Sequence, residues 1–168
     1  GLDQVKLAGS GSAPIPPDLI TWYRRIGLPL YEGYGMTEDS SYSHVSDETH
    51  NAPGYVGVPM PGVQVKLSGE GEVLIKSPGQ CIGYYKQPEE TLKAFRNLWF
   101  HTGDYAYQDS DGYFFFVDRK KDAIRRRGEN ISSFEIEQVL NAHPAVAESA
   151  VVGVKVAGAG GEDEVKAY

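Results

Sequence analysis

Trp99-Phe100-His101-Thr102-Gly103-Asp104, with Asp118-Arg119-Lys120-Lys121-Asp122 and Gly128-Glu129-Asn130-Ile131-Ser132 downstream, is the stretch around which this 168-residue chain is organised. The first piece sets one carboxylate, Asp104, after a Thr-Gly turn that follows an aromatic pair. A carboxylate on a tight turn suits two adjacent hydroxyls, such as those of a ribose. The second piece opens a run of six basic side chains (Arg119, Lys120, Lys121, Arg125, Arg126, Arg127) within nine positions of an otherwise acidic chain. Guanidinium forks pair with phosphate oxygens. Sugar and phosphate together suggest a nucleotide. Alone, each piece reads first as a turn carboxylate or a solvated charged face; the two together, and with Tyr31-Glu32-Gly33-Tyr34-Gly35-Met36-Thr37-Glu38 upstream, reverse that reading.

Between and before these pieces the pattern is β. Asp111-Gly112 sits between Tyr107 and Tyr113-Phe114-Phe115-Phe116-Val117, a hairpin signal whose aromatic run reads as core. Val63 to Leu67 alternates with period two, Gly69-Glu70-Gly71 is a turn, and Glu72 to Lys76 is a second strand. With Cys81 to Lys86 they suggest a small antiparallel barrel or sandwich from residue 54 to 120. Pro88 to Phe95 reads as one short helix with Leu92 and Phe95 facing inward, and Cys81 as a small buried hydrophobe. From 121 to 168 the character turns to α/β. Ser132-Ser133-Phe134-Glu135 is a capping box opening a helix with an apolar face at Phe134, Ile136, Val139 and Leu140. His143-Pro144 ends it, Val146 to Val154 reads as a buried strand, and Ala157 to Gly161 as a flexible turn. The fold class is α+β, with a boundary near Lys120-Lys121.

Residues 1 to 53 form a third segment. Val5 to Ala8 is strand-like and leads into the small-residue turn Gly9 to Pro14, which lacks the Gly-Lys-Ser/Thr of a Walker loop. Pro16 and Pro17 suit a helix start, Leu19, Ile20, Tyr23 and Ile26 repeat at helical spacing, and Gly27 is a stop. Pro29 to Glu32 reads as a buried strand entering the turn Gly33-Tyr34-Gly35, whose glycines let backbone approach a ligand. Tyr34 could stack on a planar base, Thr37 offers a hydroxyl to phosphate, and Glu38 is a hard oxygen ligand of the kind Mg2+ takes beside nucleotide phosphates. A plain hairpin turn with an exposed Thr-Glu is the other reading of these residues. Asp39 to Pro53 is polar and irregular; His44 and His50 there read as surface rather than as metal ligands.

Composition bounds the rest. With 40% hydrophobic and 23% charged residues the chain is globular rather than disordered. A net charge of −7 argues against general nucleic-acid affinity, so the basic run is local. One cysteine makes no internal disulfide, consistent with a reducing, cytoplasmic setting, and no apolar run approaches membrane-spanning length. The ends read as those of a piece cut from a longer polypeptide.

Tyr31-Glu32-Gly33-Tyr34-Gly35-Met36-Thr37-Glu38, Trp99 to Asp104 and Asp118 to Ser132, in that order, closely resemble the adenylate-forming superfamily of acyl-CoA synthetases, luciferases and peptide-synthetase adenylation domains. Gly54 to Gly62, Gly71 to Ile75, Gly83-Tyr84-Tyr85 and His143 to Val146 also fit, so the resemblance spans nearly the whole chain. It implies activation of a small-molecule carboxylate by ATP and Mg2+, through an acyl-adenylate, and transfer to coenzyme A. Residues 1–53 would then end the α/β part of a large adenylating domain, 54–120 its β subdomain, and 121–168 would begin a mobile C-terminal domain. Gly9 to Pro14 resembles the turn that lines the adenine and acyl pocket. By match Gly33, Tyr34 and Gly35 take adenine, Thr37 meets the α-phosphate, Glu38 holds Mg2+, Asp104 binds the ribose hydroxyls and Arg119 reaches the nucleotide. Lys121 is the hinge, and Gly128, Glu129 and Asn130 belong to the loop at the pantetheine tunnel. Arg125 to Ser132 looks most like the crotonobetaine/carnitine-CoA ligase branch and related fatty-acid ligases. The superfamily's Ser/Thr/Gly-rich phosphate loop and its adenylating lysine are missing, so the chain by itself is expected to be inactive. Two other readings stand beside this one: an adenylation domain that loads a carrier protein, and a non-catalytic module that binds nucleotides or anions.

Overall fold

The computed structural model describes residues 2–126, 129–155 and 163–168. The chain divides into two compact units: Gly1–Thr102 with Ala106–Phe116, and Gly103–Tyr105 with Val117–Tyr168.

The first unit opens with β1 (Ala8–Ser10), three residues later than the strand expected at Val5, followed by α1 (Pro17–Arg25) and β2 (Leu30–Tyr34). The prolines fix the helix start, and Gly27 closes it at φ +84°. Of the α1 apolar face only Ile20 is buried; Leu19 and Ile26 are exposed. β2 lies parallel to β1 and antiparallel to β3 (His44–Val45), which in turn pairs with β4 (Val58–Pro59).

A second sheet joins β5 (Gln64–Leu67), β6 (Glu72–Lys76), β7 (Phe95–Arg96), β8 (Trp99–Gln108) and β9 (Phe114–Arg119) in the order β5-β6-β8-β7, with β9 also on β8. The hairpin at Asp111-Gly112 forms as the sequence suggests, with Gly112 at φ +90°. The barrel does not: among the described residues the sheet is open. Val58–Pro59, expected within it, is drawn instead to the edge of the first sheet by β3. Cys81 to Lys86 forms no strand; its backbone is spent on turns, with Lys86 at φ +56°. Helix α2 (Pro88–Ala94) is present, but Leu92 faces solvent, and Cys81 is half-buried rather than buried. Val73, Ile75, Ala106 and Phe114 form the core, with Val63, Val65 and Leu67 from the inner face of β5 and its approach packed on it.

The second unit is built from two hairpins and a helix: β10 (Ile124–Arg126) with β11 (Glu129–Ile131), α3 (Ser133–Asn141), and β12 (Val151–Lys155) with β13 (Asp163–Ala167). The expected buried strand from Val146 starts only at Val151, and of its residues Val151 alone is buried. No residue of α3 is fully buried: of its apolar face Phe134, Ile136 and Leu140 are half-buried and Val139 is exposed. Ala157 to Gly161 lie outside the described residues. No helix among the described residues is long and apolar enough to cross a membrane.

Candidate nucleotide site

Gly33 and Tyr34 complete β2 rather than forming a turn; the chain bends only afterwards, through Gly35 and Met36, into a single helical turn at Thr37–Asp39. Asp39 makes that bend. It is fully buried, and its Oδ1 accepts from the Met36 N–H at 3.0 Å. The Met36 carbonyl accepts from Asp39 N at 3.2 Å and from Ser41 N at 2.8 Å. Burial raises the Asp39 carboxyl above the ordinary range. Ser40 and Ser41 both sit at positive φ, a costly backbone held by its surroundings. Gly35 admits no side chain, because a Cβ there would lie 2.7 Å from Ser41 Cα.

This bend leaves Thr37 exposed and Glu38 half-buried. Glu38 Oε1 accepts from the Tyr84 hydroxyl at 2.7 Å, and the Glu38 carbonyl accepts from Cys81 N at 2.7 Å. Burial and the neighbouring Glu38 push the Tyr84 phenol up to about 12, so it stays a donor. Tyr34 leans on the core, its ring 5.6 Å from that of His44 and 6.4 Å from that of Phe116. These rings line a small apolar cavity with Val56, Val73, Ala106 and Phe114. His44 is not surface: it is buried in β3, exchanges a hydrogen bond with Ser43 Oγ at 2.8 Å, and burial brings its pKa down to about 4. His50 stays outside with Asp47, so the two histidines share no site. Glu32, also buried, accepts from Gly54 N at 3.3 Å, and burial lifts its carboxyl to about 7.

The second unit holds the other candidates. Asp104 is half-buried, in a strand rather than a turn; the positive φ of 73° at Gly103 kinks β8 just before it. Gly103 O accepts from Lys120 N at 2.6 Å, so the segment with Arg119 and Lys121 runs beside Asp104. Arg119, Lys120 and Lys121 are exposed, and Lys120 Nζ lies 5.9 Å from the Tyr105 ring centre. The rest of the basic run is divided. Arg126 donates from one Nη to the Asp163 carbonyl at 3.2 Å, which ties it to β13. Glu129 and Asn130 pair in register with Arg126 and Arg125, while Arg127 and Gly128 lie outside the described residues.

Two residues within stretches the sequence marks have contacts here that it does not announce. Tyr84 reaches Glu38 across 46 positions. Asp118, buried, takes Ser133 N and Ser133 Oγ on Oδ2, each at 2.9 Å, beside the Ser132 cap on Glu135 N. Among the described residues no three His, Cys, Asp or Glu side chains cluster as a metal cage. One carboxylate beside a hydroxyl, as at Glu38 and Thr37, fits a magnesium ion that arrives on a nucleotide and takes most of its ligands from phosphate and water.

Residues 1–85 match the family model described as AMP-binding enzyme. A feruloyl-CoA synthase of Amycolatopsis is 42% identical over 86% of this chain and 32% of its own length. A 2-succinylbenzoate–CoA ligase of Bacillus mycoides is 39% identical, again over 86% and 32%. The structure of O-succinylbenzoate coenzyme A synthetase from Bacillus subtilis, in complex with ATP and a magnesium ion, superposes with a TM-score of 0.82 at 31% identity, over 95% of this chain and 35% of that one. The mixed helix and sheet fold is thus that of adenylate-forming enzymes. The chain spans about a third of the length of these relatives.

Proposed function

This chain belongs to the AMP-binding enzyme family, and from that premise we propose that it is part of an AMP-forming acid–thiol ligase. In this reading the enzyme joins a carboxylate to the α-phosphate of ATP, releases pyrophosphate, and passes the acyl group to coenzyme A. The observation that carries the reading is the family match over residues 1–85, which includes the bend from Gly33 to Glu38. The names of the relatives favour coenzyme A over a carrier protein as the acceptor.

Residues 1–53 close the large adenylating domain, 54–120 form its β subdomain, and 121–168 open the small domain that turns about Lys121. Tyr34 stacks on adenine, with Gly33 and Gly35 keeping the backbone close. Thr37 donates to the α-phosphate. Asp104 accepts from both ribose hydroxyls, and Arg119 reaches the nucleotide. Gly128, Glu129 and Asn130 border the pantetheine path. Bound at Glu38, Mg2+ would offset the charge that builds on the transferring phosphate. The chain by itself, without a phosphate loop or the adenylating lysine, binds nucleotide but does not turn over.

The test is carboxylate-dependent ATP–pyrophosphate exchange in the longest polypeptide that carries this chain. Ferulate, 2-succinylbenzoate, long-chain fatty acids, carnitine and crotonobetaine make the panel. Exchange with one acid class, falling by at least a hundredfold in Asp104→Ala, is expected. A folded protein that exchanges with none of them, yet binds anions without preference for adenine, would instead be an anion-binding module.

A further inference from the structure

We propose that Tyr84 is a positioning residue for Glu38: its hydroxyl holds one carboxylate oxygen, so that the other is presented to the divalent cation carried by a nucleotide. This deepens the reading above, in which Glu38 binds that cation, and it rests on it.

Both ends of the Tyr84–Glu38 bond are immobilised before any ligand arrives. On the tyrosine side, Tyr84 N donates to Thr91 Oγ1 at 2.9 Å, and the Tyr84 carbonyl accepts from Gln87 N at 3.2 Å. Gly83 stands at φ +142°, where a Cβ would lie 2.5 Å from Thr91 Cγ2, so the approach to Tyr84 is fixed by a glycine. The ring meets Phe95 edge to face, with centres 6.3 Å apart. On the glutamate side, the stretch Ser77 to Cys81 is stapled along Glu38 to Tyr42. Ser77 Oγ donates to the Tyr42 carbonyl at 2.8 Å, Ser40 Oγ donates to the Gly79 carbonyl at 3.0 Å, and Cys81 N donates to the Glu38 carbonyl at 2.7 Å. A Cβ at Gly79 would lie 2.5 Å from the Asp39 carbonyl oxygen.

The chemistry of the donor matters as much as its place. A free glutamate side chain samples many rotamers, and fixing it costs entropy at the moment of binding. A phenol removes that cost in advance. Because it is neutral, it does so without cancelling the charge the cation needs, as a lysine or arginine would. It occupies Oε1 only, and Oε2 is the atom left for the metal.

The experiment compares wild type, Tyr84→Phe and Glu38→Gln in the longest polypeptide that carries this chain. Two quantities are read: the Mg2+ concentration for half-maximal exchange, and Mn2+ affinity in the presence of ATP by electron paramagnetic resonance. Tyr84→Phe is expected to weaken both by about tenfold, the size of one hydrogen bond to a charged group. Saturating Mg2+ should restore its rate. A variant with unchanged metal dependence, or one slowed equally at every Mg2+ concentration, overturns the proposal. The functional reading survives that result if Glu38→Gln still weakens metal dependence. A wild type with neither exchange nor ATP-dependent Mn2+ binding overturns the reading and the proposal together.

Discussion

The bend from Gly33 to Tyr42 in the first unit and the segment from Val117 to Ser133 in the second carry most of the residues proposed for nucleotide, and each is held by different means. The first rests on packing. β2 and β3 lie against a closed core, Gly35 and Gly79 touch neighbouring backbone, and the contacts that aim Glu38 come from residues more than forty positions away. The second rests on hydrogen bonds over a thin core. Tyr105, Ile124 and Val151 are its only buried apolar residues among those described, and α3 buries none. What the difference teaches is where precision can come from: the Glu38 carboxylate is held by packed backbone and distant partners, whereas the Arg119 to Lys121 segment sits in a unit with few buried apolar residues among those described.

The sharpest way to break the comparison is to empty each core. Ile75 is fully buried in the first unit. Ile75→Ala should cost about 3 kcal/mol. It should also loosen the Glu38 bend, read as faster amide exchange at Asp39 and Ser41. If stability dropped while those amides kept their protection, the bend would not depend on the core and the contrast would fail.

A second effect of similar size is pH. The His44 pKa falls from 6.5 in the unfolded chain to about 4 in the folded one. The folded state therefore binds fewer protons in that window, and stability is lost as pH falls from about 6.5 to 4, by on the order of 3 kcal/mol. Glu32 acts in the opposite sense. Its carboxyl is raised from 4.5 to about 7, so its contribution is present at low pH and lost as pH rises through that range. Urea melts of wild type, His44→Phe and Glu32→Gln from pH 4 to 8 separate the two. His44→Phe should flatten the acid limb, and an unchanged limb would mean that His44 is not what titrates.

How much of this was legible in the sequence follows the same division. Local signals were read correctly: Pro17 and Gly27 at the ends of α1, period two in β5, the Asp111-Gly112 hairpin, and the Ser132 cap on Glu135 N. The contacts that build the candidate site are not local. Nothing near Tyr84 announces Glu38, and nothing near Asp118 announces Ser133. His44 read as loop because a two-residue strand has no period to detect; it is buried by pairing on both sides, with Tyr34 and with Pro59. The barrel failed for a related reason: counting short strands does not say which sheet each will join, and β4 joined the other one. Leu92 and Val139 show the same limit in helices, where spacing marks an apolar face but not whether anything covers it.

Asp118 gives the smallest and most specific test of the contrast. Its carboxylate accepts from Arg119 N at 2.8 Å and from both donors of Ser133, so it ties the end of β9 to the start of α3 across Lys121. Asp118→Ala leaves two helix-start donors of a half-buried residue without an acceptor. With no fully buried residue on α3 to compensate, the loss should fall mainly on that helix, by about 2 kcal/mol. The amide of Ser133 should then exchange roughly thirtyfold faster, while those of Asp39 and Ser41 in the first unit keep wild-type rates. Equal acceleration in both units would show that one cooperative core holds the two segments. No acceleration at Ser133 would show that α3 draws its order from something other than this carboxylate.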